Sequence, residues 1–191
     1  MKALEERIVR EGKVLEGNVL KLGSFLNQSI DTAFCAEMAT EVVSLFAGEK
    51  ITKVLTVESS GIAFGFAIAE KLGVPLVFAK KTPASNQSGG VLSARIHSYT
   101  HGNDYTATVG EEYIKADDSV LIADDFLATG EALHGLIKIV ELAGATLAGC
   151  AIQVEKGFQN GGDELRRAGV HVESLALIDS MSPEEGIKFR P

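Results

Sequence analysis

Apolar residues along the chain form two patterns. Some lie in short, mainly apolar runs, and others recur every three or four positions over longer stretches. Runs typical of buried strands lie at 53–57, 74–79, 119–125, 146–156 and 170–179. They are rich in Val, Ile, Leu and Ala, and most are bounded by Gly, Pro, Ser or Asp. The pattern therefore predicts five strands.

The helical repeat is clearest where apolar side chains return after three or four residues. Leu4 and Ile8 indicate a short amphipathic helix within 1–11. Asp31 is a suitable N-cap for a helix that continues to about Ala47 and has one apolar face. That face comprises Phe34, Met38, Val42 and Leu45. Further helices are predicted at 62–72, 131–143 and 161–168.

Strands and helices alternate from residue 53 onward. This predicts an α/β fold, with a mostly parallel twisted sheet flanked by helices on both faces and joined by right-handed crossovers. Residues 92–109 alternate on both sides of Gly102–Asn103 and suggest a hairpin. Residues 80–90 have the Pro, Ser, Asn and Gly content of an exposed mobile loop. No repeat or linker divides the 191 residues, so a single domain is expected.

The composition is that of a globular protein, with 46% hydrophobic and 23% charged residues. A net charge of −8 disfavours nucleic-acid binding, which rewards clustered Lys and Arg. The first residues lack the apolar core of a signal peptide, and no apolar stretch is long enough to span a bilayer. Cys35 and Cys150 are expected to be reduced core residues, although two cysteines also suffice for one disulfide. We therefore expect a cytoplasmic protein without a membrane partner.

Polar residues follow three of the predicted strands. They are Glu58–Gly61 ("ESSG"), Lys80–Lys81 and 124–132 ("DDFLATGEA"). In open α/β sheets, ligands bind at the carboxyl ends of the strands, so the site is expected where these segments meet. The histidines and cysteines show no metal-ligand spacing, and a structural zinc site is not predicted.

The segment after the third of these strands combines two kinds of chemistry. The turn before the helix at 131 offers backbone N–H groups that suit a phosphate, Thr129 adds a hydroxyl, and Gly130 allows close approach. Asp124 and Asp125 accept hydrogen bonds, so their partners are sugar hydroxyls or a hydrated Mg²⁺. A ribose phosphate satisfies both halves. Taken alone, an acidic pair after a strand is more often a solvated turn; the joint pattern is much less common.

The segment "VLIADDFLATGEA" resembles the phosphoribosyl-diphosphate signature of type I phosphoribosyltransferases. The likeness extends to "KVLTVESSGIAFGFAIAEKLGVPLVFAKK" and "EGNVLKLGSFLNQSID", and so covers most of the chain. It is closest to the members that use xanthine, in which Gly130 is followed by a polar residue and Ala. The resemblance implies a small N-terminal hood, formed by about 1–35 and a C-terminal segment, over a core of about 36–180.

The resemblance also implies roles for individual residues. The 5′-phosphate would bind Ala128, Thr129, Gly130, Glu131 and Ala132, with the ribose hydroxyls on Asp124 and Asp125. The pyrophosphate loop would be Glu58, Ser59, Ser60 and Gly61, and such loops often contain a strained or cis peptide. Lys81 would supply a cation against pyrophosphate, whereas the role of Lys80 stays open. Without the resemblance, "ESSG" is an ordinary strand-to-helix turn and the lysines are equally well a solvated pair.

Three further residues would contact the base. Leu20 and Asn27 belong to the hood, and Lys156 follows a predicted strand. A cation near the O6 and N7 edge of a purine favours an oxo group, and an amide can both donate and accept. As isolated residues, Asn27 fits a turn and Lys156 a solvated strand end.

The implied activity is transfer of the phosphoribosyl group from phosphoribosyl diphosphate to N9 of xanthine, in purine salvage. Mg²⁺ would bind mainly through the diphosphate and water, and a homodimer is implied. One alternative is another purine as acceptor: guanine, hypoxanthine or adenine. Another is a regulatory protein that senses phosphoribosyl diphosphate. A nicotinamide-binding enzyme is disfavoured because no G-x-G-x-x-G follows a strand.

Overall fold

The computed structural model describes residues 1–81, 90–98 and 103–190. Its helices and strands alternate as the sequence predicts from residue 53 onward. In chain order they are α1 (Lys2–Glu11), β1 (Lys13–Leu15), β2 (Val19–Lys21), α2 (Thr32–Leu45), β3 (Lys53–Val57), α3 (Gly61–Leu72), β4 (Leu76–Ala79), β5 (Val91–Ser98), β6 (Asn103–Gly110), β7 (Ser119–Leu127), α4 (Glu131–Leu142), β8 (Thr146–Lys156), α5 (Gly161–Arg167), β9 (Val172–Ser182) and β10 (Gly186–Phe189).

A six-stranded sheet with the order β10–β9–β8–β7–β3–β4 forms the centre of the fold. Neighbouring strands are parallel except β10, which runs antiparallel to β9. The predicted mostly parallel α/β sheet is therefore confirmed. The short edge strand β10 was not predicted. The predicted strand at 74–79 begins only at Leu76, because Val74 closes the preceding helix through its N–H bond to the Ala69 carbonyl.

Side chains of the central strands alternate between two apolar cores, one on each face of the sheet. On β7, Leu121 and Ala123 face the core that α1, α2 and α3 cover. Val120 and Ile122 face the other core, which α4 and the β5–β6 hairpin cover. Burial on both faces explains why β7 is almost continuously apolar until its acidic pair.

The N-terminal region packs on the first of these cores. Asp31 caps α2 as predicted, with its carboxylate accepting from the Phe34 N–H at 3.1 Å. The helix ends at Leu45 rather than Ala47, and Leu45 is 41% exposed, so its assignment to the buried face was wrong. The other three predicted apolar positions are buried.

The predicted hairpin is confirmed as the antiparallel pair β5–β6, in which Ser98 lies opposite Asn103. Asn103, which the sequence pattern placed at the turn, is the first residue of β6. Residues 99–102 lie outside the described part of the chain, as do residues 82–89 of the predicted loop. None of the described helices has the length and apolar character needed to cross a bilayer.

Candidate active site

The three polar segments meet at the carboxyl ends of β3, β4 and β7, because these strands are parallel and neighbouring. Val57 pairs with Ala79 at the ends of β3 and β4, and the Glu58 N–H donates to the Ala79 carbonyl at 3.0 Å. Lys80 and the turn after Leu127 follow at the same edge. The predicted convergence of these segments is thus present in the fold.

The acidic pair lies inside β7 rather than beyond its end. Pairing with β8 continues past the acids to Leu127, opposite Glu155. Consequently Asp124 is only 5% exposed and Asp125 8%. The Asp125 N–H donates to Asp124 Oδ1 at 3.0 Å. Two adjacent carboxyl groups are therefore held almost out of solvent.

The environment of Asp124 favours its protonated form. Burial raises the pKa of this carboxyl well above its ordinary range, and the neighbouring charge of Asp125 raises it further. The hydrogen bond from the Asp125 N–H and the Lys81 ammonium oppose this shift. A carboxyl in this state can donate a hydrogen bond as well as accept one.

Replacing Asp124 by Asn is expected to stabilise the protein at neutral pH. With a raised pKa, the folded protein binds more protons than the unfolded chain, so stability falls as the pH rises from the ordinary pKa to the folded one. The neutral amide removes this loss. Urea unfolding at neutral pH and at about pH 4 should show a gain for Asp124→Asn that is larger at neutral pH. Asp117→Asn, at an exposed acid, is the control, and an Asp124→Asn protein less stable than wild type at neutral pH would contradict the assignment.

The turn between β7 and α4 has the backbone that a phosphate site requires. Gly130 precedes the first residue of α4 and has φ +89°, in the left-handed region that favours glycine. The first N–H groups of α4 have no carbonyl partner within the helix, so they remain available to an anion. Ala128 and Thr129 are half-buried beside this helix start.

The predicted pyrophosphate loop packs tightly against the acidic pair. The Glu58–Ser59 peptide bond is cis. A Cβ on Gly61 would lie 2.2 Å from Thr56 Oγ1 and 3.0 Å from Asp124 Oδ1, so only glycine fits there. Thr56 Oγ1 is buried without a hydrogen-bond partner among the described residues. Its place in the site was missed, because a single Thr in an apolar strand carries no sequence signal.

Lys81 is joined to this loop and to the hairpin. Its N–H donates to the Glu58 carboxylate at 2.6 Å, and its Nζ lies 5.1 Å from the centroid of the Tyr105 ring. Burial raises the pKa of Tyr105, and the charge that Asp124 carries when it is ionised raises it further. Tyr105 was also missed, because its link to the site depends on how the hairpin packs.

Lys80 has a different place from Lys81. Its backbone N–H and carbonyl both pair with Thr108 of β6, at 2.9 Å in each case, and its side chain is exposed. The backbone of Lys80 therefore ties the end of β4 to the hairpin.

The lysine predicted to contact the base lies under the N-terminal region. Lys156 Nζ donates to the Asn18 carbonyl at 2.9 Å and lies 5.6 Å from the centroid of the Phe126 ring. Burial lowers the pKa of Lys156. Leu20 in β2 is buried, whereas Asn27 is exposed at the end of a π-helical turn. The turn between β1 and β2 thus reaches Lys156, and the contact of Asn27 with a base stays a prediction.

The carboxyl groups of Asp124 and Asp125 would be the protein ligands of a divalent metal at this site. Among the described residues, no group of three or more His, Cys, Asp or Glu side chains is arranged to hold one. Mg²⁺ commonly binds through one or two carboxylates, waters and substrate phosphates. The residues present therefore fit a magnesium ion that enters with a phosphorylated ligand.

Comparison with known proteins agrees with this geometry. Residues 24–181 match the phosphoribosyl transferase domain model. Xanthine phosphoribosyltransferase from Brevibacillus brevis is 50% identical to this chain, and the match covers 99% of this chain and 96% of the relative. Xanthine phosphoribosyltransferase from Lachnoclostridium phytofermentans is 47% identical, and the match covers 100% of this chain and 98% of the relative. The fold resembles adenine phosphoribosyltransferase from Rhodothermus marinus, with TM-score 0.73 and 23% identity over 92% and 98% of the two chains. The chain belongs to the phosphoribosyl transferase family.

Proposed function

We propose that the protein transfers the 5-phosphoribosyl group from phosphoribosyl diphosphate to N9 of xanthine, giving xanthosine monophosphate and pyrophosphate. The observation that carries the proposal is the buried Asp124–Asp125 pair, followed within five residues by the left-handed glycine turn at the start of α4. The full-length similarity to xanthine phosphoribosyltransferases supports the choice of base.

In this reaction the N9–C1′ bond forms, the C1′–oxygen bond breaks, and pyrophosphate leaves with the bonding electrons. The imidazole-ring proton of xanthine is released to water, before the attack where xanthine reacts as its anion. Positive charge develops on the ribose ring in the transition state. The residues would act mainly by placement and charge neutralisation. The 5′-phosphate binds the N–H groups of 128–132, and the ribose hydroxyls bind Asp124 and Asp125. The loop 58–61 and Lys81 face the leaving group, where bound Mg²⁺ would neutralise further negative charge.

The base would bind between Lys156 and the N-terminal segment. We propose that residues 1–35 and the C-terminal segment form a hood over the core at 36–180. The bond from Lys156 to the Asn18 carbonyl and that from the Met1 amino group to the Leu175 carbonyl support this arrangement. A lysine beside O6 and N7 favours an oxopurine over adenine, whose amino group it would repel. Asn27 and Leu20 would complete this contact.

A substrate panel tests the proposal. The protein is incubated with Mg²⁺, phosphoribosyl diphosphate and each of xanthine, guanine, hypoxanthine and adenine, and nucleotide and pyrophosphate are measured. The fastest initial rate is expected with xanthine. Adenine as the best acceptor would overturn the assignment of the base, and no nucleotide with any purine would overturn the transferase activity in favour of a sensor.

We also propose a cytoplasmic homodimer. Cys35 and Cys150 are both buried and unpaired, as in proteins of reducing compartments. Phe66 on α3 is 64% exposed, and Phe78 on the edge strand β4 is 41% exposed. An interface on the side of the sheet that carries α3 and β4 would cover both rings, and sedimentation equilibrium would measure the oligomeric state.

A further inference from the structure

The first residue of α5 packs directly on the candidate phosphate turn. The Gly161 N–H donates to the Ala128 carbonyl at 3.1 Å, and the Gly161 Cα lies 3.5 Å from where a Cβ on Gly130 would be. The turn is therefore supported from outside by a segment more than thirty residues further along the chain.

The contact leaves no room for a side chain at 161. A Cβ on Gly161 would lie 2.4 Å from the Thr129 carbonyl carbon, 2.5 Å from the Ala128 oxygen and 2.6 Å from the Gly130 nitrogen. All three are backbone atoms, so no side chain can rotate away. Gly161 is not among the glycines with positive φ, so the conformation is open to other residues. Glycine is needed here for close approach to the turn.

α5 is fixed to the sheet by an ion pair between the partly exposed Arg166 and the buried Glu155. Arg166 donates two hydrogen bonds to the Glu155 carboxylate, at 2.9 and 2.7 Å, and the Glu155 side chain is 1% exposed. Arg190 binds the Asp163 carboxylate of the same helix at 3.0 Å. A helix anchored in this way resists displacement. The turn, rather than α5, would therefore move to relieve a clash with a side chain at position 161.

We propose that Gly161 is a positioning residue, which sets the place of the Thr129–Gly130 peptide and so the affinity of the turn for the 5′-phosphate. The inference rests on the proposed function. Because Lys156 ends β8 and Gly161 starts α5, the connection of only four residues also joins the base-binding lysine to the phosphate turn. Gly161→Ala would push the turn by about 1 Å, a displacement that can reduce catalysis about 10²-fold.

The test measures ribose 5-phosphate binding by calorimetry, with pyrophosphate as a second probe. For Gly161→Ala we expect affinity for ribose 5-phosphate to fall about 10- to 100-fold, because hydrogen bonds to the charged phosphate are weakened, and affinity for pyrophosphate to stay within about twofold of wild type. The control is Gly149→Ala toward the opposite end of β8, where φ is +154° and a side chain adds backbone strain as well as crowding. A Cβ there would lie 2.6 Å from Phe46 Cε1 and 2.8 Å from the His171 carbonyl oxygen, so the variant is crowded but remote from the turn.

Unchanged ribose 5-phosphate affinity in Gly161→Ala, or an equal loss in Gly149→Ala, would overturn the positioning role and leave the proposed function standing. Failure of the wild-type protein to bind ribose 5-phosphate would overturn the proposed function itself. If Gly161→Ala does not fold, amide exchange in the wild-type protein decides. Ribose 5-phosphate should slow exchange of the Gly161 N–H and leave that of Gly149 unchanged; equal rates at Gly161 with and without ligand would refute the inference.

Discussion

Replacing Asp125 by Asn is expected to lower kcat/KM for phosphoribosyl diphosphate by about 10²-fold without loss of the fold. The amide matches the carboxylate in size, and the backbone N–H of residue 125 still donates to Asp124 Oδ1. The substitution removes one negative charge from a site that is 8% exposed, where electrostatic interactions are strong. It also places an amide donor where an acceptor for a ribose hydroxyl is needed.

Steady-state rates and urea unfolding together measure this effect. Asp117→Asn removes the same charge from an exposed position before β7 and should leave kcat/KM unchanged. If Asp125→Asn turned over substrate at a rate near that of wild type, Asp125 would have no role in the reaction.

Replacing Arg166 by Met is expected to destabilise the protein by about 3 kcal/mol. Glu155 would keep a buried carboxylate that has lost both guanidinium hydrogen bonds and, among the described residues, retains the bond from the Ser174 hydroxyl. An unpaired buried charge is more damaging than a neutral pair, so Glu155→Gln combined with Arg166→Met should recover much of the loss.

The free energy of unfolding in urea distinguishes these cases. Arg167→Met changes the same side chain at the next, exposed position of α5 and should alter stability by less than about 0.5 kcal/mol. A loss in Arg166→Met no larger than in Arg167→Met would show that the ion pair does not anchor the helix.

The sequence predicted those parts of the fold that depend on local pattern. The bounds of β8, 146–156, agree with the prediction. Gly144 precedes the strand and Gly157 follows it, and glycines at these places indicate in the sequence where a strand begins and ends. β10 was missed because four residues at the sheet edge bury little apolar surface and have no clear pattern. Glu155 is buried within β8, and nothing in the sequence indicates its partner Arg166, eleven residues away.

The same distinction applies to the candidate site. The acids and the glycine turn lie within one segment, so their spacing alone suggested a ribose phosphate. Thr56, Tyr105 and Gly161 come to that segment from other elements, namely β3, the hairpin and α5. Such contacts depend on three-dimensional packing, which the spacing of residues along the chain does not specify.

A crystal structure of the protein with ribose 5-phosphate tests the central claim most directly. The phosphate should lie within hydrogen-bond distance of the backbone N–H groups of 129–132, with the 2′- and 3′-hydroxyls at the carboxyl groups of Asp124 and Asp125. An ordered sugar phosphate bound elsewhere, with only solvent at the turn and the acidic pair, would contradict the account.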